Sequence, residues 1–222
     1  MFLVSNQPDP INESKVWAQE FVQCVSSCFG KAMNSDYETL LAPPDIGSTE
    51  IEAVVECLKE NWISTTGPYS NKLGSEVAAL LGKKYFVATN SGTSALELSL
   101  IGVGVGRGDY VALPSWTFSA DPNAILAVGA VPVFVDIDDK LGLCGEKLEQ
   151  CIREQIKKGK PISAILAVHP PNGVFNLHDI TSIAEEYALP VVEDSAGSLF
   201  SKIGGKYLGG LTEVGCVSFN GN

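Results

Sequence analysis

The residues able to do chemistry fall in short polar stretches that follow apolar runs. "NSGTSAL", residues 90–96, places Ser91, Gly92, Thr93 and Ser94 ahead of a helical segment running through Leu100. Hydroxyls, unpaired N–H groups and the positive end of a helix dipole suit a phosphate; an ordinary helix cap is the competing reading. "VVEDSAG", residues 191–197, puts Glu193 and Asp194 at the end of another apolar run. Strand alternation turns these two carboxylates to opposite faces, which argues against an acid/base pair. One buried carboxylate there reads as the partner of a cation, with a helix cap as the alternative. "LPSWTFSAD", residues 113–121, offers Trp116 and Phe118 either to the core or to a stacked planar ligand. His169, in "VHPPNG", has no acidic or metal-binding companion nearby in the sequence and reads as structural or substrate-side. "GVGVGRGD", residues 102–109, contains no G-x-G-x-x-G and follows a helix, so it reads as a helix terminator and turn.

The elements that must position these residues alternate. A helix capped by Ser48 or Thr49 carries Ile51, Val54, Val55, Leu58 and Trp62 on one face. A Gly-Pro turn at 67–68 opens a second helix around Leu73, Val77 and Leu81. The runs "YFVATN", "DYVALP", "VPVFVD", "AILAVH" and "LPVVED" read as strands, separated by helical periodicity at Leu148, Ile152 and Ile156 and at Ile180, Ile183 and Tyr187. This is the pattern of βαβ crossovers and a mainly parallel sheet, whose ligands sit at the carboxyl ends of the strands. "KIGGKYLGG" reads as a hairpin, and "VGCVSFN" as a last strand. Residues 1–44 differ: Trp17, Phe21, Cys24 and Cys28 form one helical stripe, and the stretch ends in a proline break. It reads as an N-terminal helical extension to a domain spanning 45–222.

Composition narrows the function. A formal net charge of −11 lacks the basic footprint of nucleic-acid binding. No apolar stretch is long enough to span a bilayer, and the N-terminus lacks a signal-peptide pattern, so a cytoplasmic protein is expected. The six cysteines are scattered and the histidines are two, which favours free thiols over a metal site.

Four separated stretches, taken in order, resemble the DegT/DnrJ/EryC1/StrS family of pyridoxal phosphate (PLP)-dependent sugar aminotransferases. They are "NWISTTGPYSNKLGSEVAALLGKKYFVATNSGTSALELSL", "GRGDYVALPSWTFSADPNAILAVGAVPVFVDID", "VVEDSAGSLFSKIGGKYLGG" and "GCVSFNGN". The resemblance implies the fold type I large domain, with a mixed, mainly parallel seven-stranded sheet, and a small C-terminal domain that this chain does not contain. It implies that Asp194 bonds the pyridine nitrogen, that Gly92, Thr93, Ser94 and Ser218 hold the phosphate, and that Phe118 stacks on the ring. Thr65 and Gly67, in "STTGPY", would meet cofactor and sugar at a homodimer interface, with His169 also on the substrate side. The family's "SFxxxK" puts the Schiff-base lysine directly after Asn222, so the 222-residue chain alone is expected to be inactive. Two positions depart from the pattern. Gly197 stands where the family has glutamine or histidine, and "AVHPPNGVFNLHD" replaces "HLYG-x-P-x-D".

The implied reaction moves an amino group, with glutamate as donor, to a nucleotide-linked keto-deoxysugar; a C4 amination of UDP-linked sugars for surface glycans fits "LGLCGEKLEQ" and "NWISTTGP". Two other readings stay open. One is a sugar dehydratase of the same family, with histidine in place of the lysine, and the other is a non-catalytic PLP-fold binding module.

Overall fold

The computed structural model describes residues 46–65, 67–171 and 175–219. The expected 1–44 helical extension lies outside the described residues. Two helices come first, α1 (Ser48–Lys59) and α2 (Pro68–Leu81), followed by α3 (Gly92–Gly102). Alternation then sets in: β1 (Tyr110–Pro114), α4 (Ala120–Ala127), β2 (Val131–Val135), α5 (Gly145–Lys157), β3 (Ile162–Val168), α6 (Leu177–Glu186) and β4 (Val191–Asp194). A single 3-10 turn, Ala196–Ser198, leads to the short strands β5 (Lys202–Ile203) and β6 (Lys206–Tyr207), and β7 (Val214–Cys216) closes the series.

Five strands form one sheet in the order β2-β1-β3-β4-β7, and every pairing within it is parallel. The α/β class and mainly parallel sheet expected from the sequence are therefore present. The strand count of that sheet differs, because β5 and β6 form a separate antiparallel hairpin. Its turn, Gly204 and Gly205 with φ of 56° and 82°, needs the left-handed backbone that glycine adopts without strain. A second difference is "YFVATN": residues 85–90 form no strand, and Tyr85 and Val87 are exposed. A strand exists through its hydrogen-bonded neighbour, and among the described residues this run has none.

Side-chain alternation splits the core into two layers. Val111 and Leu113 of β1, Ala164 and Leu166 of β3, and Val192 of β4 pack with Leu96 and Leu100 of α3 and Ala124 and Ile125 of α4. On the opposite face Ala112, Ile165 and Ala167 meet Leu148 and Ile152 of α5 and Ile180 and Ala184 of α6. Each of these larger side chains contributes about 1.5–3 kcal/mol through burial, which fixes the strand register beneath the site.

The first helix departs from expectation in two respects. Gly47 is its N-cap, and its N–H donates to the Glu50 carboxylate at 2.7 Å, so Ser48 and Thr49, the two expected caps, both lie inside the helix. The face carrying Ile51, Val54, Leu58 and Trp62 is exposed, whereas its periodicity predicts burial. The second helix starts as the sequence indicates, with Pro68 in the first turn after Gly67.

Candidate active site

The strand order reverses between β1 and β3: β2 lies to one side of β1, and β3, β4 and β7 lie to the other. A crevice opens at the carboxyl ends of strands on either side of such a reversal. The loops that leave β1, β3 and β4 carry Ser115–Phe118, His169 and Ser195 respectively. This is where the polar stretches converge.

Asp194 ends β4 and is buried, and its Oδ1 accepts the N–H of Ala196 at 2.8 Å. Two residues from Val192, it points to the same face, that of α3 and α4. There it meets Asp121, which lies in the first turn of α4 and is fully buried. Thr117 Oγ1 donates to Asp121 Oδ2 at 2.6 Å, and Asp121 Oδ1 accepts no hydrogen bond. Burial raises the Asp121 carboxyl to about 8, and the neighbouring Asp194 charge pushes the same way. Burial also raises Asp194, against the Ala196 N–H and the Asp121 side chain, which both favour its anion. Burial thus raises both carboxyls of this pair above the ordinary aspartate range.

Glu193 faces the other layer. His169 Nε2 lies 2.9 Å from its Oε1, and the backbone N–H groups of Gly209, Leu211 and Thr212 donate to the same carboxylate at 2.7, 2.9 and 3.2 Å. Burial works to raise the Glu193 pKa, but the His169 contact and the backbone donors outweigh it, and the net direction is down. The fold thus supplies the acidic companion for His169 that the sequence did not reveal, from 24 residues away. His169 is buried, and its ring packs against Phe175 with centroids 5.0 Å apart.

The other predicted positions divide. Ser91 caps α3, its Oγ accepting the Ser94 N–H at 3.2 Å. Helix geometry leaves Gly92 and Thr93 without intrahelical acceptors for their N–H groups. Ser218 comes up beside them: a Cβ on Gly92 would sit 3.6 Å from Ser218 Cβ and 3.7 Å from its Oγ. The structure thereby brings Gly92 and Ser218 together across the 126 residues separating them in the numbering. Phe118 and Trp116 are exposed, so neither is core. The Phe118 carbonyl accepts the Asp121 N–H at 3.1 Å, which ties the aromatic loop to the buried acid. Thr65 and Gly67 lie in the loop between α1 and α2, with Trp62 filling the space a Cβ on Gly67 would need. Gly197 is exposed, and a side chain there would meet Pro171 at 3.4 Å. The remainder of the departing loop, 172–174, lies outside the described residues. So do 220–222.

Asp121 was the residue that sequence reading passed over. An aspartate in a first helical turn is common because the helix dipole favours it there. Only the three-dimensional packing makes this one a buried partner of Asp194.

The model of the DegT/DnrJ/EryC1/StrS aminotransferase family matches residues 44–222. The chain belongs to this family. It is 34% identical over 183 residues to GDP-perosamine synthase of Caulobacter vibrioides, covering 82% of this chain and 48% of that protein. Among solved structures, a family aminotransferase from Brucella abortus superposes with a TM-score of 0.72 at 33% identity, covering 76% of this chain and 46% of the other. NtdA of Bacillus subtilis, solved with the cofactor PMP bound, gives 0.61 at 30% identity, covering 73% of this chain and 39% of the other. The chain spans about half the length of the curated relatives it matches.

The residues present fit a PLP-like cofactor. Gly92 leaves room at the α3 N-terminus beside Ser218, where a phosphate would find N–H and hydroxyl donors. Asp194 offers a buried carboxyl group, oriented by the Ala196 N–H, that would pair with a protonated ring nitrogen.

Proposed function

We propose that this chain is the cofactor-binding part of a PLP-dependent aminotransferase that acts on nucleotide-linked keto-deoxysugars, with glutamate as amino donor. The observation that supports it most is Asp194: a carboxyl group at a strand end, buried and held by the Ala196 N–H. Family membership points the same way, and a relative at 34% identity is a GDP-perosamine synthase.

PLP, when bound, supplies an electron sink for the carbanion that forms beside the reacting nitrogen. The work of this chain is to hold and tune it. Gly92, Thr93, Ser94 and Ser218 bind the phosphate through hydroxyls and helix N-terminal N–H groups. Asp194 keeps a proton on the ring nitrogen through a charge-assisted hydrogen bond. Phe118, on the loop anchored to Asp121, covers the ring face and limits water. Thr65 and Gly67 stand on the substrate side, whereas His169, buried against Glu193 and Phe175, has a structural role. A lysine at the position that the family motif expects after Asn222 would serve as the base that takes the proton from the amino-bearing substrate carbon.

The full-length protein is proposed to be a cytoplasmic homodimer that contributes to surface-glycan synthesis. Among the described residues, no helix is long and apolar enough to cross a membrane. The decisive activity experiment supplies glutamate and a panel of UDP- and GDP-linked 4-keto sugars to the full-length protein loaded with PLP. Formation of 2-oxoglutarate and an amino sugar supports the proposal. Loaded protein that transfers nitrogen to none of them overturns it.

A further inference from the structure

Asp121 and Asp194 come from different elements, α4 and β4, and meet in the layer between helix and sheet. Asp121 is wholly buried and Asp194 nearly so. Thr117 Oγ1 satisfies Asp121 Oδ2, and the Ala196 N–H satisfies Asp194 Oδ1. Asp121 Oδ1 is left with no donor at all. The neighbouring carboxyl is Asp194, and two ionised carboxylates are both pure acceptors. A buried acceptor facing another acceptor costs free energy twice, through lost hydrogen bonding and through like-charge repulsion. One proton shared by the pair removes both penalties.

We propose that Asp121 is a positioning residue of the cofactor site: it carries the proton of this carboxyl pair, donates it toward Asp194, and so fixes Asp194 as the single anion presented at the end of β4. This rests on the cofactor reading given above for Asp194. With Asp121 as the acid, Asp194 is held from two sides, by the Ala196 N–H and by the Asp121 hydroxyl. Its rotamer is then set before any ligand arrives, which is the preorganisation a ring-nitrogen contact requires.

The orphaned Oδ1 singles out Asp121 as the carrier of the proton, since burial raises both carboxyls. Asp121 is pushed up to about 8 by burial and by Asp194, with Thr117 opposing. Asp194 is pushed up by burial, with the Ala196 N–H, the Asp121 side chain and His169 opposing and Glu193 reinforcing. From β7, Cys216 faces both carboxyls, and it is held as a neutral thiol by its own burial, which raises it to about 12. Ser99 of α3 bonds the Cys216 sulfur at 3.1 Å and brings no charge. Burial of both carboxyls therefore favours one anion and one acid, with the proton on the residue whose oxygen has no donor.

The test needs a readout independent of turnover. In the chain labelled with 13C at aspartate Cγ, one carboxyl should stay protonated at pH 7 and titrate near pH 8; the Asp121→Asn substitution should remove that signal. In parallel, pyridoxamine 5′-phosphate, which has no aldehyde to react with stray lysines, is titrated into wild type, Asp121→Asn and Asp121→Leu. Loss of a buried donor to Asp194 in Asp121→Leu should weaken binding about tenfold, and the asparagine amide should restore most of that loss. Aspartates that all titrate below pH 5, or an Asp121→Leu chain that is folded by circular dichroism and binds as wild type, would overturn the proposal. If Asp121→Leu does not fold, the 13C titration and the asparagine variant decide it alone. A wild type that shows the high-titrating carboxyl but does not bind the probe overturns the cofactor reading and leaves the carboxyl pair standing.

Discussion

Glu193 and Asp194 are adjacent in β4, yet their carboxylates share no hydrogen-bond partner: Glu193 takes His169 and three loop amides, and Asp194 takes Ala196 N–H and faces Asp121. Strand alternation makes this division. One residue ties the sheet to the loop at 209–212, and the next is presented to the crevice.

Glu193 should therefore be a stability residue. Glu193→Gln removes the charge that pairs with His169 and turns an amide NH2 toward backbone donors. Breaking a buried, multiply bonded carboxylate of this kind costs about 3 kcal/mol. Urea unfolding at pH 7 measures it. Because its folded pKa lies below the ordinary value, the Glu193 contribution is present above the unfolded glutamate range and is lost as pH falls through the folded pKa. The loss of stability on acidification should be shallower in the variant. Equal stability of the two proteins at pH 7 would contradict the assignment.

Asp121 acts with the opposite sign. Its folded pKa, about 8, lies above the unfolded value, so the folded state binds the extra proton between the two. Stability should fall as pH rises from about 4 to 8, by at most about 1.4 kcal/mol per pH unit from this group. Asp121→Asn removes the titration and should flatten that slope, as read from denaturant midpoints at pH 6 and 8.5. An unchanged slope would mean that Asp121 ionises normally.

Close backbone packing under the site gives a third outcome. A Cβ on Gly215 in β7 would lie 1.9 Å from the Gly209 carbonyl oxygen, which only a backbone shift can relieve. Gly215→Ala should cost about 1–3 kcal/mol by overpacking. It should also loosen the 209–212 loop that Glu193 holds, seen as faster amide exchange at Leu211 and Thr212. Unaltered exchange in a destabilised variant would separate the two effects and contradict the coupling.

The exposed row Ile51, Val54, Leu58 and Trp62 bears on association. If the protein forms the homodimer proposed above, this row is the apolar face expected to meet a second copy. Leu58→Glu should then shift sedimentation of the full-length protein toward monomer. An unaffected dimer would place the interface elsewhere.

The sequence made the sheet legible because β-branched runs alternate with helical periodicity, and strand alternation turned Glu193 and Asp194 to opposite faces at the end of one such run. Gly92 and Ser218 were linked by motif resemblance, and the fold sets them side by side. What it concealed were pairings between distant elements. Asp121 looks like a helix-dipole aspartate until α4 packs on β4, and the acidic partner of His169 lies on the neighbouring strand. The missing strand at 85–90 shows the same limit: β-propensity describes a segment, whereas a ladder needs a neighbour.

The measurement closest to the central claim is binding of pyridoxamine 5′-phosphate to the full-length protein by calorimetry, compared with Asp194→Ala. Wild type should bind one equivalent per chain. Removal of the charge-assisted bond to the ring nitrogen should weaken binding at least about tenfold at pH 7, while inorganic phosphate, which meets only the α3 N-terminus and Ser218, should bind both proteins alike. Equal affinity of the two proteins for the intact cofactor would contradict the role given to Asp194.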